Sequence, residues 1–324
     1  MSWPESLFER RPKLSIGIPV YNGESYLPEA LRAFLEQDYS DFELIVSDNA
    51  STDRTEAIVR EFAARDSRIR YYRNPENLGA SRNFSRVFDY ARGEFFKWAC
   101  ADDLPYPGYL RRLTETLAAA PPEVVLVTSR VALIDGEGRP LTDEEGRPFA
   151  WTEWASEWGG PERLSTDAAT PSRRLAEVLP RLRWCTAYMG IFRREALALT
   201  RKIDAFAVSD RVLMVEVAML GKIIEIDEFL LARRQHPGIS TEIAKTPEEY
   251  ALWIDPKTKN VRRASRRIMS LEYLASIRRL PLSPLERVRC AVVIAKIWAS
   301  QKIDLLVKRF PRNVTEVTGE TVQL

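Results

Sequence analysis

The segment LSIGIPVYNG at residues 14–23 is a short apolar run that ends in tyrosine, asparagine and glycine. A run of this length, closed by turn residues, is typical of a buried strand. Residues 26–37 follow it with apolar side chains at helical spacing: Leu27, Ala30, Leu31, Phe34 and Leu35. A buried strand followed by an amphipathic helix is the unit from which parallel α/β sheets are built.

The same alternation continues beyond this first unit. We predict further strands at 42–47, 69–73, 94–101, 124–134, 186–192 and 222–231, and helices at 54–65, 80–91 and 211–220. Because the connections are short, a doubly wound, mostly parallel sheet with flanking helices is the simplest α/β fold. Beyond residue 240 the pattern is helical, so we divide the chain into a domain at 1–240 and a helical extension at 241–324.

Polar side chains follow four of the predicted strands. They are Tyr21 and Asn22, Asp48, the segment 77–79, and the pair Asp102 and Asp103. In open α/β sheets, ligands bind beyond the carboxyl ends of the strands. The sequence therefore predicts a binding site at this edge. A dinucleotide or P-loop site is poorly supported, because no glycine-rich phosphate loop follows the first strand.

The adjacent carboxylates Asp102 and Asp103 come after the apolar segment FFKWACA at residues 95–101. Like charges side by side repel each other unless a cation neutralises them. Carboxylate oxygens suit Mg²⁺ or Mn²⁺, especially where a substrate phosphate completes the coordination. For the pair alone, two turn or helix-capping acids are the commoner interpretation.

Charge is distributed unevenly along the 324 residues, whose net charge is only +2. Residues 257–312 contain fifteen Lys and Arg against three acidic residues, a net charge of +12, which favours an anionic partner. A helical stripe runs through this region: Leu285, Val288, Val292, Ala295, Ala299, Ile303 and Leu306. The stripe fits a helix that docks on the protein body or on a partner subunit, such as the second copy in a homodimer. It also fits attachment to an anionic membrane surface. We expect no nucleic-acid partner.

Two further features bear on where in the cell the protein is found. Cys100, Cys185 and Cys290 are odd in number and have no metal-site spacing, which favours reduced thiols in the cytoplasm. Residues 1–13 lack an apolar signal-peptide core, and no stretch has the ~20 apolar residues of a membrane span, so we expect a cytoplasmic protein, with or without peripheral attachment at the inner membrane face.

One tryptophan stripe, which bears on the acceptor, lies in a polar segment at 139–160: Trp151, Trp154 and Trp158. It fits a short packed helix or a flap that contacts a sugar.

Five ordered blocks of this sequence resemble the family 2 glycosyltransferases, inverting enzymes of the GT-A fold that use nucleotide-sugar donors. The resemblance spans residues 13–240, and its blocks are 14–23, 43–53, 77–83, 101–103 with Pro107, and 209–211. It implies a GT-A type doubly wound sheet, with the basic helical region as an extension.

The resemblance also implies roles for individual residues. The nucleotide would be bound by Pro19, Tyr21, Glu24, Asp48, Asn77, Arg82 and Asp102. Mn²⁺ or Mg²⁺ would be held by Asp102, Asp103 and His236. Asp210 would be the general base that deprotonates the acceptor hydroxyl, whereas from the residues alone a helix N-cap is an equal interpretation.

The sequence departs from the family pattern at two positions. Cys100 stands where many members have the first aspartate of the metal motif, and Ser209 stands where an acid often precedes the base. A thiol is a poor Mg²⁺ ligand, so metal binding would depend on Asp102, Asp103 and His236, the single histidine of the chain.

The resulting functional hypothesis is a metal-dependent glycosyltransferase. It would transfer a sugar, most plausibly from a UDP-linked donor, to a glycan or polyprenyl-linked acceptor in cell-surface polysaccharide synthesis. Two alternatives stay open: a sugar nucleotidyltransferase, and a catalytically inactive sugar-nucleotide-binding protein. Release of pyrophosphate would indicate the first, and absence of donor turnover would indicate the second.

Overall fold

A mixed eight-stranded sheet forms the centre of the described part of the protein. The computed structural model describes residues 11–143, 145–148, 164–182, 186–206, 209–239, 246–257 and 266–309. The strands are β1 Leu14–Val20, β2 Phe42–Asp48, β3 Ile69–Arg73, β4 Phe95–Trp98, β5 Leu104–Pro105, β6 Val124–Ile134, β7 Ile191–Arg193 and β8 Lys222–Arg234. Their order in the sheet is β3-β2-β1-β4-β7-β6-β8-β5.

Helices cover both faces of this sheet. They are α1 Leu27–Leu35, α2 Thr55–Arg65, α3 Ala80–Asp89, α4 Tyr109–Ala119, α5 Pro171–Val178, α6 Arg194–Ala198, α7 Ser209–Leu220, α8 Pro247–Ile254, α9 Arg266–Arg279 and α10 Pro284–Arg309. Strands β1–β4 pair in parallel, as do β6 and β8, whereas β7 and β5 pair antiparallel to their neighbours. The predicted α/β class and mostly parallel sheet are confirmed.

The parallel register brings the predicted polar strand ends to one edge. In the ladder of β1 and β2, Val20 lies opposite Asp48, and in the ladder of β2 and β3, Asp48 lies opposite Arg73. Strand β4 lies on the other side of β1 and leads to residues 100–103. The loops after β1, β2 and β4 are therefore neighbours.

Four predicted strands have different bounds in the structure. The strand predicted at 42–47 includes Asp48, and the one predicted at 94–101 is shortened to Phe95–Trp98. Of residues 186–192, only Ile191 and Phe192 are in a strand, and Ala187–Met189 form a 3-10 turn. The carbonyl of Met189 accepts hydrogen bonds from Lys97 Nζ at 2.8 Å and Tyr109 Oη at 2.7 Å, so this segment is held by side chains instead of by a ladder. Strand β8 runs on past residue 231 to Arg234, because its last residues pair with the end of β6.

The core has two layers because successive strand residues point to opposite faces of the sheet. On β4, Phe95 packs with residues of α1 and α4, whereas Phe96 and Trp98 pack with residues of α3 and α7. Lys97 points to the first layer and is 1% exposed. A lysine is thus buried next to the predicted site.

The described helices of the C-terminal region share the second core layer. Tyr273 and Ile277 of α9 and Cys290 and Ile294 of α10 belong to the same buried cluster as Leu213 of α7. A polar contact adds to this packing, since the fully buried carboxylate of Glu216 on α7 accepts hydrogen bonds from Ser276 and Arg279 of α9. Helix α9 is therefore packed directly on the helix that carries Asp210, and α10 packs on α9 and α5.

Some features noted in the sequence cannot be placed in this architecture. Trp151, Trp154, Trp158 and Cys185 lie outside the described residues. Cys100 and Cys290, which are described, are both free thiols, as expected. Within the ranges described above, none of the helices has the length and apolar character needed to span a bilayer.

Candidate active site

A cleft of about 500 Å³ lies beyond the carboxyl ends of β1 and β4. Its lining includes residues from five parts of the chain: Pro19, Tyr21, Asn22, Tyr26, Cys100, Asp102, Asp103, Tyr188, Met189, Arg233, His236 and Trp253. Five of the predicted site residues are in this lining: Pro19, Tyr21, Asp102, Asp103 and His236. The cleft therefore lies where the strand ends led us to expect a ligand.

The loops after β1 and β2 form one hydrogen-bonded unit along the cleft. Asn22 donates its N–H to Ser51 Oγ at 2.9 Å, and its side-chain oxygen accepts the N–H of Thr52 at 2.8 Å. Gly23 donates its N–H to Thr55 Oγ1 at 2.8 Å. Tyr21, which is 49% exposed, is thus presented at the cleft by a loop that α2 holds in place.

Asp48 lies beneath this unit and is completely buried. One carboxylate oxygen accepts the N–H of Ser51 at 2.8 Å, and the other accepts Tyr71 Oη and Arg73 Nη1, both at 2.6 Å. Asp48, which we predicted to bind the nucleotide, therefore already has hydrogen-bond partners within the protein. It connects the loop after β2 to the neighbouring strand β3.

Glu24 and Asn77, also predicted to bind the nucleotide, have their described contacts with backbone and loop groups. Glu24 Oε2 accepts the N–H of Arg54 at 3.1 Å, and Asn77 Oδ1 accepts the N–H of Gly79 at 2.8 Å. Gly79 has φ of 82°, and a Cβ atom there would lie 2.3 Å from the carbonyl oxygen of Ile254. Residues 77–79 thus pack tightly against the end of α8.

Arg82 also contacts the chain at the end of α8. Its guanidinium forms an ion pair with Asp255 at 2.9 Å, just after α8, and its side chain is 53% exposed. The contact holds α8 against α3, and Trp253 of α8 reaches the cleft. The structure therefore places Arg82 beside the cleft lining.

Asp102 and Asp103 form an acidic cluster with Cys100 in the cleft. One ligand atom from each of the three side chains lies within 4.8 Å of the others. Burial and the charge of Asp102 raise the pKa of Asp103, and burial raises the pKa of the Cys100 thiol. A cation would relieve the repulsion between the two carboxylates, and a protonated thiol contributes nothing to a hard cation. The two carboxylates fit Mg²⁺ or Mn²⁺, with Cys100 as a neighbour only.

His236 reaches the cluster through Asp102. The N–H of Gly238 donates to His236 Nδ1 at 3.1 Å, so the neutral ring carries its proton on Nε2. Nε2 lies 3.0 Å from Asp102 Oδ2 and donates to it. In this arrangement His236 orients Asp102, and direct ligation of a metal would require the ring to give up that hydrogen bond.

The adjacent arginines at the end of β8 point to different surroundings. Arg234 is 1% exposed and donates to the carbonyl of Asp102 at 3.0 Å, to Gly136 at 2.9 Å and to Glu29 at 2.6 Å. Arg233 lines the cleft. One arginine therefore supports the acidic loop from below, while the other brings positive charge to the site.

Asp210 is the second residue of α7 and is partly exposed. Burial raises its pKa, and the positive charges of Arg211 and Arg233 oppose that rise. The same Arg233 charge opposes the rise in the pKa of Asp103. Asp210 and the acidic cluster thus lie within the field of one arginine, and a raised pKa suits a general base.

Comparison with known proteins shows the family of this chain. The family model described as glycosyl transferase family 2 matches residues 15–198, more than half of the chain. The chain belongs to glycosyltransferase family 2.

Curated glycosyltransferases resemble part of this family 2 protein. An uncharacterized glycosyltransferase of Rickettsia typhi is 33% identical over 130 residues, which are 40% of each chain. The GalNAc(5)-diNAcBac-PP-undecaprenol beta-1,3-glucosyltransferase of Campylobacter jejuni is 35% identical over 105 residues, 32% of this chain and 34% of that one. The chain spans less than half of the length of these relatives.

Solved structures resemble most of the chain. Residues 1–349 of TarS from S. aureus, in complex with UDP-GlcNAc, align over 90% of this chain and 92% of that one, with a TM-score of 0.52 and 16% identity. The mannosyltransferase PcManGT from Pyrobaculum calidifontis, in complex with GDP-Man and Mn²⁺, aligns over 93% and 80%, with a TM-score of 0.53 and 19% identity. The fold of this family 2 protein is of the GT-A type, as predicted.

Several cleft residues of this family 2 protein were not selected from the sequence. They are Tyr26, Tyr188, Arg233 and Trp253. Only Arg233 had a usable signal, because alternation along a strand puts adjacent residues on opposite faces. Tyr188 and Trp253 enter through a 3-10 turn and a helix whose positions depend on tertiary packing.

Lys97 was also missed. It donates to the carbonyls of Trp98 at 3.0 Å and Met189 at 2.8 Å, and its Nζ lies 4.7 Å from the ring centre of Tyr109. Burial lowers the pKa of Lys97 to about 7, although the nearby Cys100 and Asp103 act in the opposite direction. Lys97 therefore fixes the end of β4 and the 3-10 turn beneath the acidic cluster.

Proposed function

We propose that this protein is an inverting glycosyltransferase that moves a sugar from a nucleotide-diphosphate donor to a hydroxyl acceptor. The observation that carries the proposal is the placement of Asp102, Asp103 and Arg233 in the lining of one cleft at the carboxyl edge of the sheet, with Asp210 outside that lining but close enough for the charge of Arg233 to act on its pKa. Two carboxylates suit a cation, an arginine suits a diphosphate, and a third carboxylate suits proton transfer.

In the proposed reaction, Asp210 accepts the proton of the acceptor hydroxyl while that oxygen attacks the anomeric carbon. The new carbon–oxygen bond forms on the face opposite the breaking bond to the phosphate oxygen, so the anomeric configuration inverts. The nucleoside diphosphate leaves, and Arg233, which lines the cleft, would stabilise the negative charge that develops on it. A divalent cation held by Asp102 and Asp103 would supply further positive charge for the leaving group.

The positions of the other predicted residues define two proposed roles. Pro19 and Tyr21, which line the cleft, would contact the nucleotide directly. Asp48, Glu24, Asn77 and Arg82 have protein partners, so we propose that they act on the nucleotide by shaping the loops around it. His236 would orient Asp102 for the cation.

The donor and the acceptor are also part of the proposal. We favour a UDP-linked donor and a glycan or polyprenyl-linked acceptor in cell-surface polysaccharide synthesis, used in the cytoplasm at the inner membrane face. A structurally similar protein was solved with UDP-GlcNAc, and a relative carries an undecaprenol-linked substrate in its name. Another similar structure holds GDP-Man, so the base must be tested directly.

A thermal-shift panel tests the donor and the metal together. We expect one nucleotide and its sugar conjugate to stabilise the protein more with Mn²⁺ or Mg²⁺ than without, since a ligand at a hundred times its Kd adds ~2.7 kcal/mol. Asp102→Asn should remove the metal dependence of that shift. A panel without any stabilising nucleotide would contradict the donor site.

The base is tested by Asp210→Asn with the donor selected by the panel. We expect transfer to fall by ~10²–10⁴-fold while nucleotide affinity stays within a few-fold, because only proton transfer is removed. Asp227→Asn, on an exposed part of β8, is the matched control and should leave transfer unchanged. Near-normal turnover in Asp210→Asn would remove Asp210 from the base role, and release of pyrophosphate would indicate a nucleotidyltransferase instead.

A further inference from the structure

Helix α10 has two apolar faces, and only one of them is covered. Glu286, Cys290 and Ile294 face the body and are between 0% and 9% exposed. On the opposite side, Leu285, Val288 and Val292 are 58%, 62% and 45% exposed. The described members of the apolar stripe, from Leu285 to Ala299, are therefore exposed and do not dock on the body.

Basic side chains flank this outer face, defined here by Leu285, Val288 and Val292. Arg289 and Lys296 are exposed and lie beside it on the helix. The single acidic residue among 284–299 is Glu286, which is 9% exposed and accepts hydrogen bonds from Ser172 N–H and Arg289. The described side chains of α10 thus present cations outward and their acid inward.

Helix α9 repeats this arrangement. Leu271 is 56% exposed, whereas the side chain of Glu272 is 12% exposed and forms an ion pair with Arg201 of the body. Arg278, at the end of α9, is exposed. Among the described side chains of the two helices, Arg278, Arg289 and Lys296 are therefore exposed at the surface, whereas Arg279 forms an ion pair with the buried Glu216.

We propose that the outer face of α10 binds an anionic membrane surface. Exposed apolar side chains with cations along their edge are the pattern of a helix that lies in the lipid interface, where each nearby cation strengthens binding to anionic lipid. The proposal extends the proposed function, from which it takes the inner-face location, by naming the surface that would hold the enzyme there.

Charge also argues against a second copy of the chain as the occupant. A symmetric dimer through this face would bring the same surface of each copy together, so Arg289 and Lys296 of one copy would approach their equivalents. Like charges across an interface oppose association. Anionic lipid headgroups provide the opposite charge.

Vesicle flotation of the full chain tests the proposal, with vesicles of phosphatidylcholine alone or with 30 mol % phosphatidylglycerol. We expect binding to the anionic vesicles only, and a decrease with added salt. Val288→Glu with Val292→Glu should lower binding at least ~10-fold, because it removes apolar contact and adds negative charge. Leu199→Glu, at an exposed leucine of the body, is the matched control and should bind like the wild type.

A second pair of variants separates charge from apolar contact. Arg289→Gln with Lys296→Gln should lower binding ~30-fold, about fivefold for each cation, and glutamine keeps a donor for Glu286. These point variants are preferable to deletion of the region, because α9 and α10 share the core of the body. Thermal unfolding and the nucleotide-induced shift should stay unchanged in all of them.

Two outcomes would overturn the membrane proposal without affecting the proposed function. The first is equal binding of wild type and Val288→Glu/Val292→Glu to anionic vesicles. The second is a dimer in solution that dissociates in that variant while the wild type does not float, which would make the face an interface between copies. Loss of nucleotide binding with intact flotation would instead contradict the proposed function alone.

Discussion

Asp48 and the pair Asp102–Asp103 occupy comparable places at the same edge of the sheet, since Asp48 ends the parallel strand β2 and the pair follows the parallel strand β4. Their surroundings differ. Asp48 is fully buried, with Ser51, Tyr71 and Arg73 as hydrogen-bond donors. The pair lines a cleft, where Asp102 is held by His236 and Asp103 by the N–H of Arg234.

The difference shows how the same residue type at the same edge can serve different purposes. The charge of Asp48 is compensated inside the protein by Arg73, so this aspartate joins two strands. The pair places two carboxylates together where burial raises the pKa of Asp103. The negative charges of Asp102 and Asp103 are opposed by the positive charge of Arg233 and, in the function we propose, by a bound cation.

The largest expected effect is on catalysis at the pair. Asp102→Asn should lower transfer by at least ~100-fold, a loss of ~3 kcal/mol of transition-state stabilisation, because the cation loses a charged ligand. Steady-state rates at saturating Mn²⁺ measure it, with the thermal midpoint as a check on folding. Transfer within fivefold of the wild type would mean that Asp102, like Asp48, has a structural role and not a catalytic one.

The next effect is on stability and has opposite directions at the two sites. Asp48→Asn should lower the free energy of unfolding by ~3 kcal/mol, because it leaves Arg73 and Tyr71 without the buried carboxylate. Asp103→Asn should leave stability unchanged or raise it, because it removes one of two repelling charges. Urea unfolding at pH 7.5 measures both, and a comparable loss in both variants would refute the distinction.

The third effect concerns Lys97, the buried cation nearest the pair. Its pKa is lowered from 10.5 to about 7, so between these values the unfolded chain binds a proton that the folded chain does not. Wild-type stability relative to Lys97→Met should therefore rise with pH in this window, by up to ~1.4 kcal/mol per unit.

Unfolding of both proteins at several pH values between 7 and 9 measures this rise. Lys296→Met, which removes an exposed lysine of α10, is the control and should show no comparable trend. A flat difference for Lys97→Met would mean that Lys97 stays charged and compensates Asp103 as Arg73 compensates Asp48.

The smallest expected effect is at His236. His236→Ala should reduce transfer and raise the Mn²⁺ concentration needed for half-maximal activity, each by ~10-fold, because Asp102 loses its orienting donor. His236→Gln keeps an N–H donor and should lose less. Equal losses in the two variants, with unchanged Mn²⁺ dependence, would argue that the ring acts otherwise than through Asp102.

The local pattern was sufficient to predict most of the parallel half of the sheet. Residues 14–20, 69–73 and 124–134 have the predicted strand bounds because β-branched and aromatic side chains between turn residues favour a strand. The predicted strand at 186–192 was too long, since a 3-10 turn held by Lys97 and Tyr109 takes its first part. Such side-chain contacts join distant residues and leave no trace in local periodicity.

The amino-acid sequence by itself determined that this chain forms an α/β sheet and that polar residues gather at one edge, because strand alternation and parallel pairing follow from local chemistry. Only the tertiary structure decided how each of those residues is used. Asp48 acquired Tyr71 and Arg73 from a neighbouring strand, Arg233 was turned to the cleft and Arg234 beneath it, and Leu285, Val288 and Val292 of α10 were left outside the core. These outcomes depend on burial and on partners far apart in the chain, which the spacing of residues along it does not contain.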